Sequence, residues 1–552
     1  MRILFEGFKY EKELLKEIFE NSSFHHQDGT ILKVGYYYSY KMNELVYLLP
    51  KVFLKDDTST IFKGKKVEEF ATQNLNISLK HDPIYKWARL TSIYFYKSLV
   101  EFKKRNTDTT ILNSSEAHNL NSNLGDKEYS YQELVLSFVN FYRKNKTQIL
   151  FNHIEHISNQ VKKTKWEKTI RKSLPILNSN NQPVYTIFRN KKKVINREEE
   201  LITLYFSVLN NLNKEHNFNL HIDKSYSIIE GAKFQSLKNT GYSKLRRIKF
   251  KYFNDTLKKM YHLCEMYFKH SNVGSLKKTD EFISVSSYNL VFEDMIDKLL
   301  TDKTYEIAGE NKKNNIDDLR KNDDGKIIDH LFIEKSLIDT TNIFAIGDSK
   351  YYKTTKSAGK ESRFKQFTYA KNIIQQNLNL FHEKSKKVDG VRYRDSVTEG
   401  YDITPNFFIY GFINNIYDFD SNVPKPRDVA ESFHWKHRLF DRDTLFVHQY
   451  ELNFLFILKS YSESNSNKIE AFRESTKQIF RANILDYFKN SQFEVFEYHG
   501  TNHEAFVIKH FKTLNGKSII TSEGKLLIAK HKNDENDEIV NLVNGLNKFE
   551  WI

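Results

Sequence analysis

A single cysteine, Cys264, occurs among 552 residues. An intramolecular disulfide is therefore ruled out, as is any cysteine-rich zinc site. Its neighbours Tyr261, Leu263, Met266 and Tyr267 are apolar at helical spacing, the setting of a buried structural thiol. Seven prolines and no Gly/Ser-rich tract leave no flexible linker in view. No run of about 18 apolar residues occurs, so no membrane span is expected. Residues 1–20 are amphipathic and acidic, unlike a signal peptide. The expectation is a soluble cytoplasmic protein with no membrane partner. No internal repeat, Gly-x-Ser-x-Gly element or dinucleotide fingerprint is present, which removes serine hydrolase and dehydrogenase readings. Gly516-Lys517-Ser518 mimics the end of a Walker A loop, but Phe511 stands where the first glycine belongs. NTP hydrolysis within this chain is not expected, because phosphate cradling needs that glycine-rich backbone.

What the chain does contain is apolar mass and positive charge. Hydrophobic residues make up 39 % and aromatics 14 %, enough for real cores. The length predicts roughly three or four domains. A net charge of +15 points to a polyanionic partner, with nucleic acid first in line. The pattern divides the chain into a mixed α/β region at 1–125, a basic helical region at 126–275, a further α/β domain at 276–490 and an extension at 491–552. In the basic region Lys165, Lys168 and Arg171 surround Trp166, while Arg246, Arg247 and Lys249 adjoin Phe250. Cations interleaved with aromatics suit phosphate contacts beside base or sugar stacking, so these residues are candidate DNA contacts. A solvated helix face would read the same way. His153 and His156, one helical turn apart if helical, are too few for a zinc site.

The chemistry concentrates further on. Asn322-Asp323-Asp324-Gly325 signals a tight turn into a short apolar strand over 326–332 that holds Asp329. A second strand over 342–352 carries Asp348 and Lys350 on one face, since strand side chains alternate. Antiparallel pairing of the two would bring Asp329 towards Asp348, and Glu293, on a helix just before, could add a third carboxylate. Buried carboxylates without a counterion cost several kcal/mol. A divalent cation removes that objection, and Mg²⁺ prefers such oxygens while keeping positions open for water and phosphate. A helix over 363–378 follows, then a buried strand over 406–412, and beyond them a strand and a helix at 444–458 and 469–488.

Glu293, Asp329 and Asp348-Ser349-Lys350 resemble the PD-(D/E)XK nuclease core, with Ile328 in place of the usual proline. Gln366-Phe367-Thr368-Tyr369 resembles the Gln-x-x-x-Tyr-like element of several branches, with a three-residue step, and implies Gln366 and Tyr369 as contacts to the scissile phosphate or the lysine. Val34-Gly35-Tyr36-Tyr37-Tyr38, Leu48-Leu49-Pro50-Lys51-Val52-Phe53 and Lys165-Trp166-Glu167-Lys168-Thr169-Ile170 resemble the LlaJI-type restriction endonuclease family, which is similar to McrC nuclease subunits. His437-Arg438-Leu439-Phe440-Asp441-Arg442 and Asn453-Phe454-Leu455 fit the same family.

The resemblance implies an α+β multidomain protein whose PD-(D/E)XK domain has a mixed sheet flanked by helices. It implies a DNA endonuclease of a bacterial restriction or anti-phage system, with Mg²⁺ as cofactor and Mn²⁺ able to stand in. Asp329, Asp348 and Glu293 would hold the metal, and Lys350 would position the attacking water. DNA is the expected partner, and the resemblance leaves room for a McrB-like NTPase subunit and for a homo-oligomer. Two alternatives stay open: a non-catalytic DNA-binding specificity or scaffold subunit with a vestigial nuclease fold, and an RNA-directed nuclease.

Overall fold

The computed structural model describes residues 2–19, 26–39, 42, 44–62, 66–72, 83–106, 112–114, 131–145, 152–194, 200–216, 220–223, 226–252, 255–271, 281–302, 328–353, 355–377 and 391–552. Three larger sheets and one helical cluster account for most of them, an α+β arrangement. The first sheet runs Arg2–Phe5, Glu44–Leu49, Val34–Ser39, Glu281–Val285, Leu112–Ser114 in spatial order. Val34–Ser39 and Glu44–Leu49 are almost continuously apolar or aromatic, and they are buried along nearly their whole length. Such runs suit strands covered on both faces. The helix Pro83–Arg105 provides part of that cover, with Tyr96 edge-on to Tyr36 at 5.7 Å.

Between Leu112–Ser114 and Glu281–Val285 the chain builds a separate core. The helices Tyr131–Asn145, Glu200–His216, Ala232–Ile248 and Asp255–Ser271 bury Phe138, Tyr205, Leu209, Leu245 and Phe268 against one another, and Cys264 lies among them. The region is not helical throughout. Asn152–Ser158 and Phe188–Val194 pair antiparallel, with the short helix Trp166–Lys172 between them in sequence. His153 and His156 therefore sit on a strand, where a three-residue step no longer repeats the same face.

The central sheet has the order His330–Lys335, Asn342–Lys350, Asn406–Phe412, Leu445–Asn453, Lys425–Pro426. Its first pair is antiparallel, and Asn342–Lys350, Asn406–Phe412 and Leu445–Asn453 are mutually parallel. Parallel neighbours need a long crossover. The helix Lys360–Asn377 lies in the first of these and buries Phe367, Ala370, Ile373 and Ile374 with Phe344, Ile346 and Phe408. The opposite face, with Ala345, Phe407, Ile409 and Tyr450, shares its core with the helices Tyr288–Leu300, Phe454–Glu463 and Ser466–Asn490 and with the first sheet. Asn453 caps Phe454–Glu463, accepting from Leu455 N at 3.1 Å. A third sheet, Ser518–Ile520, Leu526–His531, Phe493–Tyr498 and Asn547–Lys548, joins that core through Val495 and Leu527. Lys517, from the Walker-like triplet, is buried and ion-paired to Asp534 at 2.5 Å, a structural role. No described helix is long and apolar enough to cross a membrane.

Candidate active site

The site is set by strand register. His330 faces Gly347 and Leu331 faces Ile346 across the antiparallel pair. Continuing that register by one residue puts Asp329, just ahead of the strand, opposite Asp348. Directly opposed residues share a face, and Lys350, two residues on, shares it too. Residues 326, 327 and the Asn322-to-Gly325 turn lie outside the described residues. The second strand ends at Lys350, two residues short of the expected end, and the helix begins earlier, at Lys360.

The side chains converge as the register requires. The Asp329 and Asp348 carboxyls lie close enough to act on each other, and Ser349 N donates to Asp329 Oδ2 at 3.3 Å. Burial raises the Asp329 pKa well above the carboxylate range, and the negative charges of Asp348 and Glu293 push it further. Glu293, on the helix Tyr288–Leu300, is pushed up to about 7, first by burial and also by Asp348. Asp348 in turn accepts from Lys350 Nζ, which also stands 4.8 Å from the centre of the Phe408 ring. These are acids crowded out of water around one lysine.

These donors fit a hard divalent cation by type: carboxylate oxygens, partly buried, with repulsion that a positive charge would relieve. They are not closed into a shell. Among the described residues no group of three or more His, Cys, Asp or Glu is gathered to hold a metal ion. Asp348 and Glu293 both add their charge to the burial that raises Asp329, and Asp348 is ion-paired to Lys350.

The other face of the same strands carries a buried polar pair. His330 Nε2 and Ser349 Oγ lie 2.6 Å apart, and His330 Nδ1 is 3.9 Å from Asp297 Oδ1. His330 is fully buried, behind the carboxylates rather than among them. Gly347 makes room for it, since a Cβ there would meet His330 Cβ at 3.1 Å. No sequence motif singles out this pair, although the alternation that groups Asp348 with Lys350 also groups Gly347 with Ser349.

Gln366 departs from its expected place. It is fully buried, donating from Nε2 to Asn406 Oδ1 at 2.5 Å, so it braces the helix Lys360–Asn377 on the sheet instead of facing a phosphate. Tyr369 is half-buried and packs on the same core. The candidate DNA contacts lie elsewhere, in the helical region. Lys168, Arg171, Arg246, Arg247 and Lys249 are exposed, Lys165 is half-buried, and Trp166 is 50 % exposed. Phe250, beside the second group, is 84 % exposed.

No protein-family model and no curated protein matches the chain. Among solved structures, the chain is similar to one in the refined half-complex from a tetradecameric assembly of Thermococcus gammatolerans McrB AAA+ hexamers with bound McrC. Identity is 10 %, 85 % of this chain and 100 % of that chain are covered, and the TM-score is 0.26, too low to carry fold or function across.

Proposed function

We propose that the chain is a metal-dependent DNA endonuclease, with Glu293, Asp329, Asp348 and Lys350 as its chemical groups. The observation carrying this reading is the strand register that sets Asp329 beside Asp348, with Lys350 on the same face and bonded to Asp348. Structural carboxylates are normally paired with cations or left in water; two held together out of water are costly. Such expense is characteristic of sites that bind metals or move protons. Asp329, Asp348 and Glu293 would hold Mg²⁺, whose chemistry is to polarise a phosphate and acidify a bound water. Lys350, freed from Asp348 by that cation, would donate to the attacking water or to a phosphate oxygen on which charge builds. The cations around Trp166 and at Arg246, Arg247 and Lys249 would hold the DNA backbone. A place in a restriction system beside a McrB-like motor subunit belongs to the same proposal, on the sequence resemblance alone.

The unclosed metal shell favours one other reading, a DNA-binding subunit whose nuclease fold is vestigial. Plasmid cleavage separates the two. Mg²⁺ is expected to support cutting that EDTA stops, and Asp348→Ala or Lys350→Ala should remove it while DNA binding persists. A wild-type protein that binds DNA but leaves it intact under Mg²⁺ and Mn²⁺ would decide for the vestigial reading. An RNA substrate at the same salt tests the preference for DNA, because phosphate contacts are strongly screened.

A further inference from the structure

Beyond Lys350 the central sheet ends in a small cleft. Its walls include Lys350, Lys353, Lys356, Tyr410, Arg427 and Glu451, around a space of about 200 Å³ that is partly open to solvent. Lys350 pairs with Tyr410, and Tyr410 with Glu451, across the parallel strands, so the cleft opens at their carboxyl ends. In open α/β sheets that is where ligands bind.

The cleft is built as well as basic. The Arg427 guanidinium lies 4.7 Å from the centre of the Tyr410 ring, and its Nε is 3.3 Å from Glu451 Oε1. Tyr410 is fixed in turn: its hydroxyl donates to Gln449 Oε1 at 2.7 Å and accepts from Ala358 N at 3.1 Å. A guanidinium stacked on an aromatic face keeps its edge free for bidentate recognition of a phosphate. Lys353 is buried and anchored on Asp57 at 2.5 Å, while Lys356 is exposed. Four cations thus surround one carboxylate along the lining, and the carboxylate partners Asp348 and Asp57 leave an excess of positive charge.

We infer that this cleft is a phosphate subsite, with Arg427 and Lys356 holding a DNA backbone phosphate next to the one cut beside Lys350. The inference rests on the nuclease reading for its substrate, and it explains why the basic lining is continuous with the catalytic lysine. Lys350 would serve both positions, facing the carboxylates on one side and the cleft on the other.

The test uses full-length protein carrying Asp348→Ala, without metal, titrated with a fluorescent DNA duplex at several salt concentrations. Removing one phosphate-binding cation should lower the slope of log affinity against log salt by about 0.9. Lys356→Ala and Arg427→Ala are expected to lower it by about one such step each, and Arg427→Lys to restore most of it. Thermal melts identify any variant that fails to fold, and Lys356, being exposed, keeps the test open if Arg427→Ala is lost. Inorganic phosphate at constant ionic strength separates the sources. Competition with DNA that vanishes in the double variant supports a backbone phosphate. Phosphate binding that leaves the DNA slope untouched overturns it, as do unchanged slopes in both variants. Cleavage by the wild-type protein is measured apart: no cutting with a lowered slope sinks the nuclease reading alone, and cutting with unchanged slopes sinks the subsite alone.

Discussion

Folding takes Asp329 out of water and sets it against Asp348, with Glu293 near enough to add its own repulsion. Each raised carboxyl holds its proton in the folded chain at a pH where the unfolded chain has released it. Stability then falls as pH rises from the ordinary carboxylate range, near 4, through the folded values, which for Glu293 means about 7. Asp402, buried near Asp339 in the same domain, is also pushed up to about 7 and adds to the slope, so the site's share needs a difference measurement. Asp329→Asn supplies it. In EDTA the melting temperature of the wild-type protein is expected to drop between about pH 5 and pH 8, and that of Asp329→Asn to drop less. Mg²⁺ should stabilise the wild-type protein more at the higher pH, because a cation must displace the proton held by Asp329, and should hardly affect the variant. A wild-type profile that is flat, or a Mg²⁺ effect independent of pH, would mean that Asp329 does not keep its proton in the folded chain.

At the scale of elements, the strand Asn342–Lys350 presents chemistry on one face and is fastened by the other, through Ser349 and His330. His330→Ala would strand the Ser349 hydroxyl and open space beneath Gly347, costing about 2 kcal/mol in urea unfolding. Turnover should fall with DNA affinity nearly intact, since the loosened strand still carries Asp348 and Lys350. Equal loss of binding would show that His330 supports more than this strand. How far sequence reveals such elements depends on where their partners lie. The alternation that joins Asp348 to Lys350 is local, as is the apolar run of Asn406–Phe412, and both are legible. The end of the second strand is not local. Tyr351 leaves the ladder because its hydroxyl donates to Glu6 and accepts from Lys51 N at 3.1 Å, contacts some 300 residues away in sequence. Gln366 likewise turns inward to Asn406, forty positions further along, which no periodicity in its own helix announces. The hairpin inside the basic region is hidden by its composition, since Lys191, Lys192 and Lys193 do not form an apolar alternation.

For the whole molecule, the links from the first sheet to the strand Asn342–Lys350 make the N-terminal residues part of the body that holds the central sheet. Lys353 Nζ reaches Gly7 O at 3.3 Å and Thr355 Oγ1 donates to Lys55 O at 2.7 Å, beside the Tyr351–Glu6 bond. Residues of both sheets also share one core. The helical region behaves differently, because its buried residues form a cluster of their own and Leu136 is its partly buried contribution to the main core. The chain leaves the first sheet after Leu112–Ser114 and returns at Glu281–Val285, and these strands are antiparallel neighbours with Ser114 opposite Ile283. Exit and re-entry are therefore adjacent, the geometry of an insertion that can be cut out without moving the strands it separates. A protein without residues 131–271, its flanks joined, is expected to keep the cooperative melt of the remainder. It should also retain the Mg²⁺-dependent stabilisation at high pH. Its DNA affinity should fall steeply and its salt slope flatten, because Lys165, Lys168, Arg171, Arg246, Arg247 and Lys249 leave with the insert. Removal of residues 1–62 instead should abolish folding of the central sheet, since it strips Glu6, Lys51, Lys55 and Asp57 from the strand end. Circular dichroism and calorimetry on the two truncations read the outcome. An insert-free protein that fails to fold, or an N-terminally truncated one that melts normally, would reverse the assignment of which part carries the central sheet.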